Sequence, residues 1–458
     1  MKPKKSSFFW IVILLTAVGS MTFLYWSGFK KHFDENTIHQ NADQVVMVDV
    51  KNIRNYFAFS YLKNPSEWQW GAANNKPNEL FDLSDFGIKV PDYFAFFHIE
   101  NQPQNLFYCV TEIQTVTNFE KAITKAHFIK NSLKNGMVCY YSKALKLFIA
   151  KHSSQILCAT IPENEKEIVL KIADDLFSKK LFLDTKKIQK TIGTSNAINV
   201  WIKKNSILEQ DGIVNIQLHD NEVVAEAQLQ LNPKYGSETQ FSENPEGLLS
   251  LGFDFKMFRN HKIISQNSAK INKIIGFDLD SILAHNPTKT ELVLNGIIEK
   301  KDSAISYSYD DDFNAVEKKI IHITREPSFY FSMQSGNSKN VFNYLKSQKV
   351  INNEQVFVNF PLAKTTASVL GNAFVLKANL TDGFKQNASA KKIAYLQVNF
   401  NKLQLKDWSF IIRRNKNFKI LKHFGLLQMN ITNLNNSANF RVSLKTKSNK
   451  KLVDAFKD

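Results

Sequence analysis

The longest uncharged apolar run is residues 8–29, FFWIVILLTAVGSMTFLYWSGF, 22 positions in all. As a helix it would measure about 33 Å at ~1.5 Å per residue, enough for a hydrocarbon core of ~30 Å. Trp10 near one end, and Tyr25 and Trp26 at the other, stand where interfacial aromatics stand. The run predicts an uncleaved transmembrane anchor. A cleaved signal peptide competes, with Ala17 and Gly19 as small residues, but signal-peptide cores run only ~7–15 residues. No Cys follows the run, which excludes a bacterial lipoprotein. Lys2, Lys4, Lys5 and the free amine precede it; Lys30 and Lys31 follow, with Asp34 and Glu35 beyond. That bias sets the N-terminus in the cytoplasm and the rest across the membrane. The location expected is a bacterial inner membrane, single-pass, with the body in the periplasm.

Beyond the run the periodicity alternates between two and 3.6 residues. Gln44–Val50 (QVVMVDV) predicts a strand, followed by a helix with Asn52 as cap and Ile53, Tyr56, Phe57 and Tyr61 on one face. Residues 92–100 and 105–112 predict a hairpin. Thr117–Glu120 has the form of a capping box opening a helix whose apolar face is Phe119, Ala122, Ile123, Ala126 and Ile129. A meander is expected at 137–142, 145–151 and 155–160. Pro162 then starts a helix with Ile168, Ile172 and Leu176 on one face. Val214, Ile216 and Leu218 alternate with polar residues. A turn at Asp220 and Asn221 leads to Ala225, Ala227, Leu229 and Leu231.

Residues 232–247 (NPKYGSETQFSENPEG) are the best linker in the chain. They divide it into a cytoplasmic tip and anchor at 1–32, a first domain at 40–231 and a second, strand-rich domain at 248–458. The second domain should hold a helix near 338–348 and end in hairpins with Asn-rich turns at 415–417 and 435–436. The fold class expected is α+β: a transmembrane helix, then two bodies of antiparallel sheet with flanking helices, the C-terminal sheet having one wet face. TNFEKAI, GMVCYYSKALKLFIAKHSSQILCATI and EKEIVLKIADDLF resemble uncharacterised single-pass cell-envelope proteins with a helix–meander–helix core, over about residues 40–230. The Asn-, Lys- and Ile-rich composition is similar to that of Bacteroidota sequences. The resemblance implies a location and a fold and brings no activity.

Composition adds little to this. With 43% hydrophobic residues, 37 Phe, 16 Gly and 11 Pro, the chain is globular rather than disordered. Three Cys in 458 residues argue against a disulfide scaffold. Cys109, Cys139 and Cys158 each sit in an apolar run, which reads as burial. A single bridge between Cys139 and Cys158 stays open.

The sharpest candidate for chemistry is IIGFDLDSIL, residues 274–283. It resembles the first motif of haloacid-dehalogenase-type phosphatases, an apolar strand ending in D-x-D. The resemblance implies Asp278 as nucleophile and Asp280 as acid/base, with Asp310, Asp311 and Asp312 available to Mg²⁺. Ser281 and Ile282 depart from the family's Gly and Thr. Only 27 residues separate Ile282 from Asp310, too few for a parallel βαβ core. The competing reading is a helix capped by Asp280 or Ser281, and for the triple Asp a hairpin turn. S-x-x-K recurs at Ser27, Ser60 and Ser389 without its companion motifs. No nucleotide or zinc motif occurs, and no two His stand three or four apart. His98 reads as a satisfied sheet residue. No cofactor and no metal are expected.

Charge is uneven. The whole chain carries +17. Asp382–Asp458 holds 16 basic and 4 acidic residues, a net of +12, which leaves +5 for the rest. Arg413, Arg414, Lys416 and Lys419 are expected on a hairpin tip, and Arg441, Lys445 and Lys447 on the wet face of the last strand. Together they are candidates for contact with an anionic surface such as lipid headgroups; a solvated face is the plain alternative. No nucleic-acid-reading motif is present. The expected function is non-catalytic binding or scaffolding in the cell envelope, with an unknown envelope protein partner. Lipid or hydrophobic-ligand carriage and the phosphatase are the alternatives.

Overall fold

The computed structural model describes residues 28–65, 86–132, 136–161, 165–235, 238–255, 262–309, 313–380, 387–434, 437–448 and 450–456. Two compact units divide the chain, one ending at Asp220 and the other beginning at Asn221.

In the first unit, β1 (Ala42–Asp49) pairs with β2 (Tyr93–Ile99) on one side and β8 (Ile198–Ile202) on the other. β9 (Gly212–Leu218) follows β8, and β3 (Tyr108–Glu112) follows β2. β7 (Gln155–Thr160), β6 (Leu147–His152), β5 (Val138–Ser142) and β4 (Ile129–Ser132) complete the order β9-β8-β1-β2-β3-β7-β6-β5-β4, antiparallel throughout. The alternation in β1 aims Val45 and Met47 into a core that also holds Phe97, Tyr108, Phe148 and Trp201. Helix α1 (Val50–Lys63) starts directly from β1, α2 (Val116–Lys125) follows β3, and α3 (Lys166–Phe177) follows β7. Ile172 and Leu176 of α3 reach the core as their spacing predicts.

The second unit is also one antiparallel sheet, in the order β10-β20-β19-β18-β12-β13-β14-β16-β15. Its strands are β10 (Glu222–Leu229), β12 (Leu249–Asp254), β13 (Pro287–Tyr309), β14 (Ala315–Ser335), β15 (Thr366–Leu370), β16 (Ala373–Ala378), β18 (Ala394–Asn399), β19 (Phe424–Leu434) and β20 (Ser437–Thr446). β11 (Thr239–Glu243) and β17 (Asn387–Lys392) form a separate pair. The helices are α4 (Lys262–Ile275), α5 (Leu279–Leu283), α6 (Ser338–Ser347) and α7 (Leu405–Arg414).

The α+β expectation is therefore corrected. Among the described residues twenty strands stand against seven α-helices. The long β13–β14 hairpin alone spans most of residues 287–335, so antiparallel sheet dominates both units. The transmembrane helix expected over 8–29 falls almost wholly outside the described residues. Of that run only Gly28 and Phe29 are described, and no helix among the described residues is long and apolar enough to cross a membrane.

Local corrections have local causes. Asp49, not Asn52, caps α1, because its Oδ1 accepts the Asn52 amide at 2.8 Å. α2 opens after Thr115, so Thr117 lies inside the helix and the capping box goes unused; Ile129 belongs to β4. The predicted linker contributes β11, and its Phe241 is buried. The unit boundary falls earlier, at 220/221, and β10 runs in register with β20 from Glu222↔Lys445 to Leu229↔Ala438. Of the predicted turn at 415–417 only Asn415 stands between α7 and a 3-10 segment at Lys416–His423.

Candidate functional site

The D-x-D motif is not at the end of a strand. Residues 262–275 are helix α4, and Asp278 is the N-cap of α5. Its carboxylate accepts the Ser281 amide at 3.0 Å, the Ser281 hydroxyl at 2.7 Å, the Asp280 amide at 3.4 Å and the Asn272 side-chain amide at 3.0 Å. The Ser281 hydroxyl first, and then the Ser281 amide, hold this carboxyl below the usual range. The cap is thus Asp278, two residues before the Asp280 and three before the Ser281 expected. A carboxylate so saturated with donors is a capping group, and Asp280 beside it is exposed. Asp310, Asp311 and Asp312 lie outside the described residues. Among the described residues no group of His, Cys, Asp and Glu is placed to hold a metal ion.

The basic residues divide into two sets. Arg413 and Lys419 are exposed, on α7 and the following 3-10 segment; Arg414 and Lys416 belong to the same two elements. This region is helical rather than a hairpin tip. Asp407 in the first turn accepts the Gln404 amide at 2.8 Å, half of a capping box, and Trp408 is buried. That helical spacing was available in LKDWSFIIRR. In β20, Arg441 pairs with Glu226 of β10, so its charge is neutralised locally. Lys445 is exposed in register with Glu222, and Lys447 follows the strand, half-buried.

Sequence reasoning missed the buried ionisable groups of the first unit. Lys31 Nζ lies 2.6 Å from Asp49 Oδ2, 2.8 Å from Asn52 Oδ1 and 3.0 Å from the Thr194 carbonyl. Tyr93 lies beside this pair; burial pushes its phenol up to about 12, and its oxygen accepts the Gly193 amide at 2.9 Å. His98 Nδ1 sits 2.7 Å from Asp43 Oδ1, and Nε2 sits 3.2 Å from the Pro103 carbonyl. The Asp43 hydrogen bond raises the His98 pKa. His39, 3.5 Å from Asp175, moves the other way because burial disfavours its charged form.

The two histidines give opposite pH signatures. The stability His98 contributes is complete below ~6.5 and is lost as pH rises through its raised folded value. His39 contributes stability that is lost as pH falls below ~6.5. His98→Gln should therefore flatten the decline in stability above that pH and leave the acid limb intact, measured by urea midpoints at several pH values. An unchanged profile would show that His98 does not titrate in this range.

The cysteines are not arranged as expected. Strand β6 separates Cys139 on β5 from Cys158 on β7, so these two cannot bridge. Cys109 of β3 stands directly opposite Cys158. All three are free thiols, and burial pushes Cys139 up to about 11, Cys158 to about 12 and Cys109 higher still. They are poor nucleophiles.

Beside α1 a groove of about 400 Å³ opens, lined by Tyr56, Phe59, Ser60, Lys63, Leu218, His219 and Asp220. Its lining is mixed, and the salt bridge Lys63–Asp220 at 3.6 Å closes one part of it. The fully buried Phe side chains, Phe97, Phe119, Phe148 and Phe241, fill cores rather than line a channel.

No protein-family model matches the chain, and no curated protein matches it. Among solved structures, crystal forms III, I and IV of TP0453 align with 76%, 76% and 74% of this chain and 93%, 92% and 88% of theirs. The identities are 9%, 10% and 8%, and the TM-scores 0.23, 0.23 and 0.24. A likeness this slight carries no argument about fold or function.

Proposed function

We propose that this chain is a non-catalytic binding or scaffolding protein of a bacterial envelope, held at the inner membrane by its apolar N-terminal stretch, with its body in the periplasm and resting on an anionic lipid surface. The observation that carries the reading is the net +12 between Asp382 and Asp458, with Arg413 exposed on α7 and Lys419 exposed on the 3-10 segment that follows it. Arg441 is discounted because Glu226 neutralises it. Lys2, Lys4 and Lys5 before the apolar run, against Lys30 and Lys31 after it, favour an N-terminus on the cytoplasmic side. Against catalysis stands the saturated Asp278. Basic residues near an anionic leaflet contribute about 1 kcal/mol each, so a few together hold a body that is already tethered.

The test is liposome flotation of residues 28–458. Starting there keeps Lys31 on Asp49 and the Gly28 carbonyl on the Asn55 side chain. Binding should require anionic lipid and fade toward 1 M salt, where the Debye length falls to ~3 Å. It should drop when Arg413, Arg414, Lys416 and Lys419 are changed to Glu. Equal binding to neutral vesicles, or none at low salt, would reduce the charge to a solvated face.

A further inference from the structure

The β13–β14 hairpin outruns the sheet that carries it. β12 accompanies β13 only as far as Leu294, and β16 accompanies β14 only from Phe329 onward. Between Ile297↔Pro327 and Tyr309↔Ala315 the two strands pair only with each other among the described residues, a ribbon of 13 rows about 41 Å long at ~3.4 Å per row. Such a two-stranded ribbon is marginal in water, yet this one is well supplied with exposed apolar side chains.

Paired residues share a face and faces alternate along the strand, so the register sorts these side chains. One face carries Ile305, Tyr307, Ile321 and Ile323, which are 64%, 61%, 61% and 56% exposed. The same face carries Lys301, opposite Ile323, and Lys319, opposite Ile305, neither with an ion-pair partner among the described residues; it also carries Glu299, opposite Arg325, and Glu317, which accepts the Tyr307 hydroxyl at 3.3 Å. The other face mixes Lys300, Thr324, His322, Ser306 and Lys318 with Ile298, Ile320 and Val316, which are less exposed at 37%, 37% and 46%. At the base of the apolar face Arg325 reaches Asp407 at 2.7 Å and Gln404 at 3.1 Å, so the basic α7 segment begins on that same side.

We infer that the apolar face of this arm lies along an anionic lipid surface, with Ile305, Tyr307, Ile321 and Ile323 in the headgroup region and Lys301 and Lys319 reaching the lipid phosphates. This rests on the membrane placement proposed above and names a second, apolar element of the same contact. Two arguments select lipid over a second protein. A ribbon ~41 Å long and two strands wide at ~4.8 Å offers roughly 400 Å² per face, about half of what one partner buries in a stable protein–protein interface. Lysines flanking aliphatic side chains on one face are the pattern that keeps stems in apolar surroundings and charges at the phosphates. In sequence three aspartates, 310–312, connect the strands. Tip-first insertion would desolvate them, so the arm lies flat.

The test uses the full chain reconstituted in phosphatidylglycerol-containing or pure phosphatidylcholine vesicles. A polarity-sensitive fluorophore is placed on Ser303→Cys, on the apolar face, or on Ser306→Cys, on the other; the three native thiols are buried or raised in pKa by burial. The expected result is blue-shifted emission and several-fold weaker iodide quenching at position 303 than at 306, in anionic vesicles only. Replacing Ile305, Ile321 and Ile323 by Ser should abolish that difference. Equal quenching at both positions overturns the inference. So does protection at 303 that persists in neutral vesicles together with cross-linking between copies, which would assign the face to a second copy. If the arm stays wet while flotation of residues 28–458 still requires anionic lipid, the arm inference fails and the functional reading stands. If flotation fails while position 303 is protected, the basic segment fails instead.

Discussion

Asp49→Ala should lower the stability of the first unit by about 3–5 kcal/mol, because it strands the Lys31 ammonium in a buried site. Asp49 is wholly buried, and its two oxygens serve different partners, Lys31 Nζ at 2.6 Å and the Asn52 amide at 2.8 Å. Loss of the cap adds about 1 kcal/mol. Asp49→Asn separates the two effects, since it retains a cap oxygen and removes the charge. The double variant Lys31→Met, Asp49→Asn should recover much of the loss, because removing both charges also removes their desolvation cost. Denaturant midpoints of residues 28–458 provide the comparison. A double variant no more stable than Asp49→Asn would show that the ion pair is not the source. The same logic predicts that a soluble form starting at residue 33 is much less stable than one starting at residue 28.

Gly87→Ala is expected to cost on the order of 2–5 kcal/mol, from left-handed backbone strain of ~1–2 and overpacking of ~1–3. Gly87 has φ +66°, and its carbonyl accepts the amides of Gln114 at 2.7 Å and Thr115 at 3.1 Å. A Cβ there would meet the Thr115 carbonyl oxygen and the Phe119 amide nitrogen, both backbone atoms at the start of α2. That helix would have to move, and Phe119 with it, out of the cluster it forms with Ile123, Tyr140 and Ile149. Gly136→Ala is the control. Its φ is +71° and nothing lies within 4 Å of the added methyl, so only the backbone strain of about 1–2 kcal/mol should appear. Equal losses in the two variants would refute the steric account.

Most strands of the first unit were legible in the sequence. QVVMVDV, the 137–160 meander and the Val214–Leu218 alternation all became strands near their expected limits. Helix α3 was legible from its 3.6-residue spacing, and α6 lies where a helix was expected near 338–348. The D-x-D motif was not legible as a cap, because a motif of two aspartates does not reveal whether a strand or a helix precedes it. Asn272, six residues upstream on α4, decides the matter by bonding Asp278. The basic cluster was legible as charge but not as shape. Asn-rich segments read as turns, whereas Asp407 and Trp408 turned the segment before them into a helix.

What the sequence determined by itself is therefore what depends on near neighbours: strand and helix positions, the uncharged run at 8–29 and the basic C-terminal portion. Only the tertiary structure decided the strand order, the boundary at 220/221, the facing of Cys109 and Cys158, the Lys31–Asp49 pair and the free length of the β13–β14 arm. Side-chain alternation is a local property of an extended backbone and is visible in a few residues. Which strand lies beside which, and where a neighbour stops, depends on contacts between residues far apart in the chain: β1 with β8, and β10 with β20, lie more than 140 residues apart. Those contacts form only when loop-closure entropy is offset by the burial of both faces.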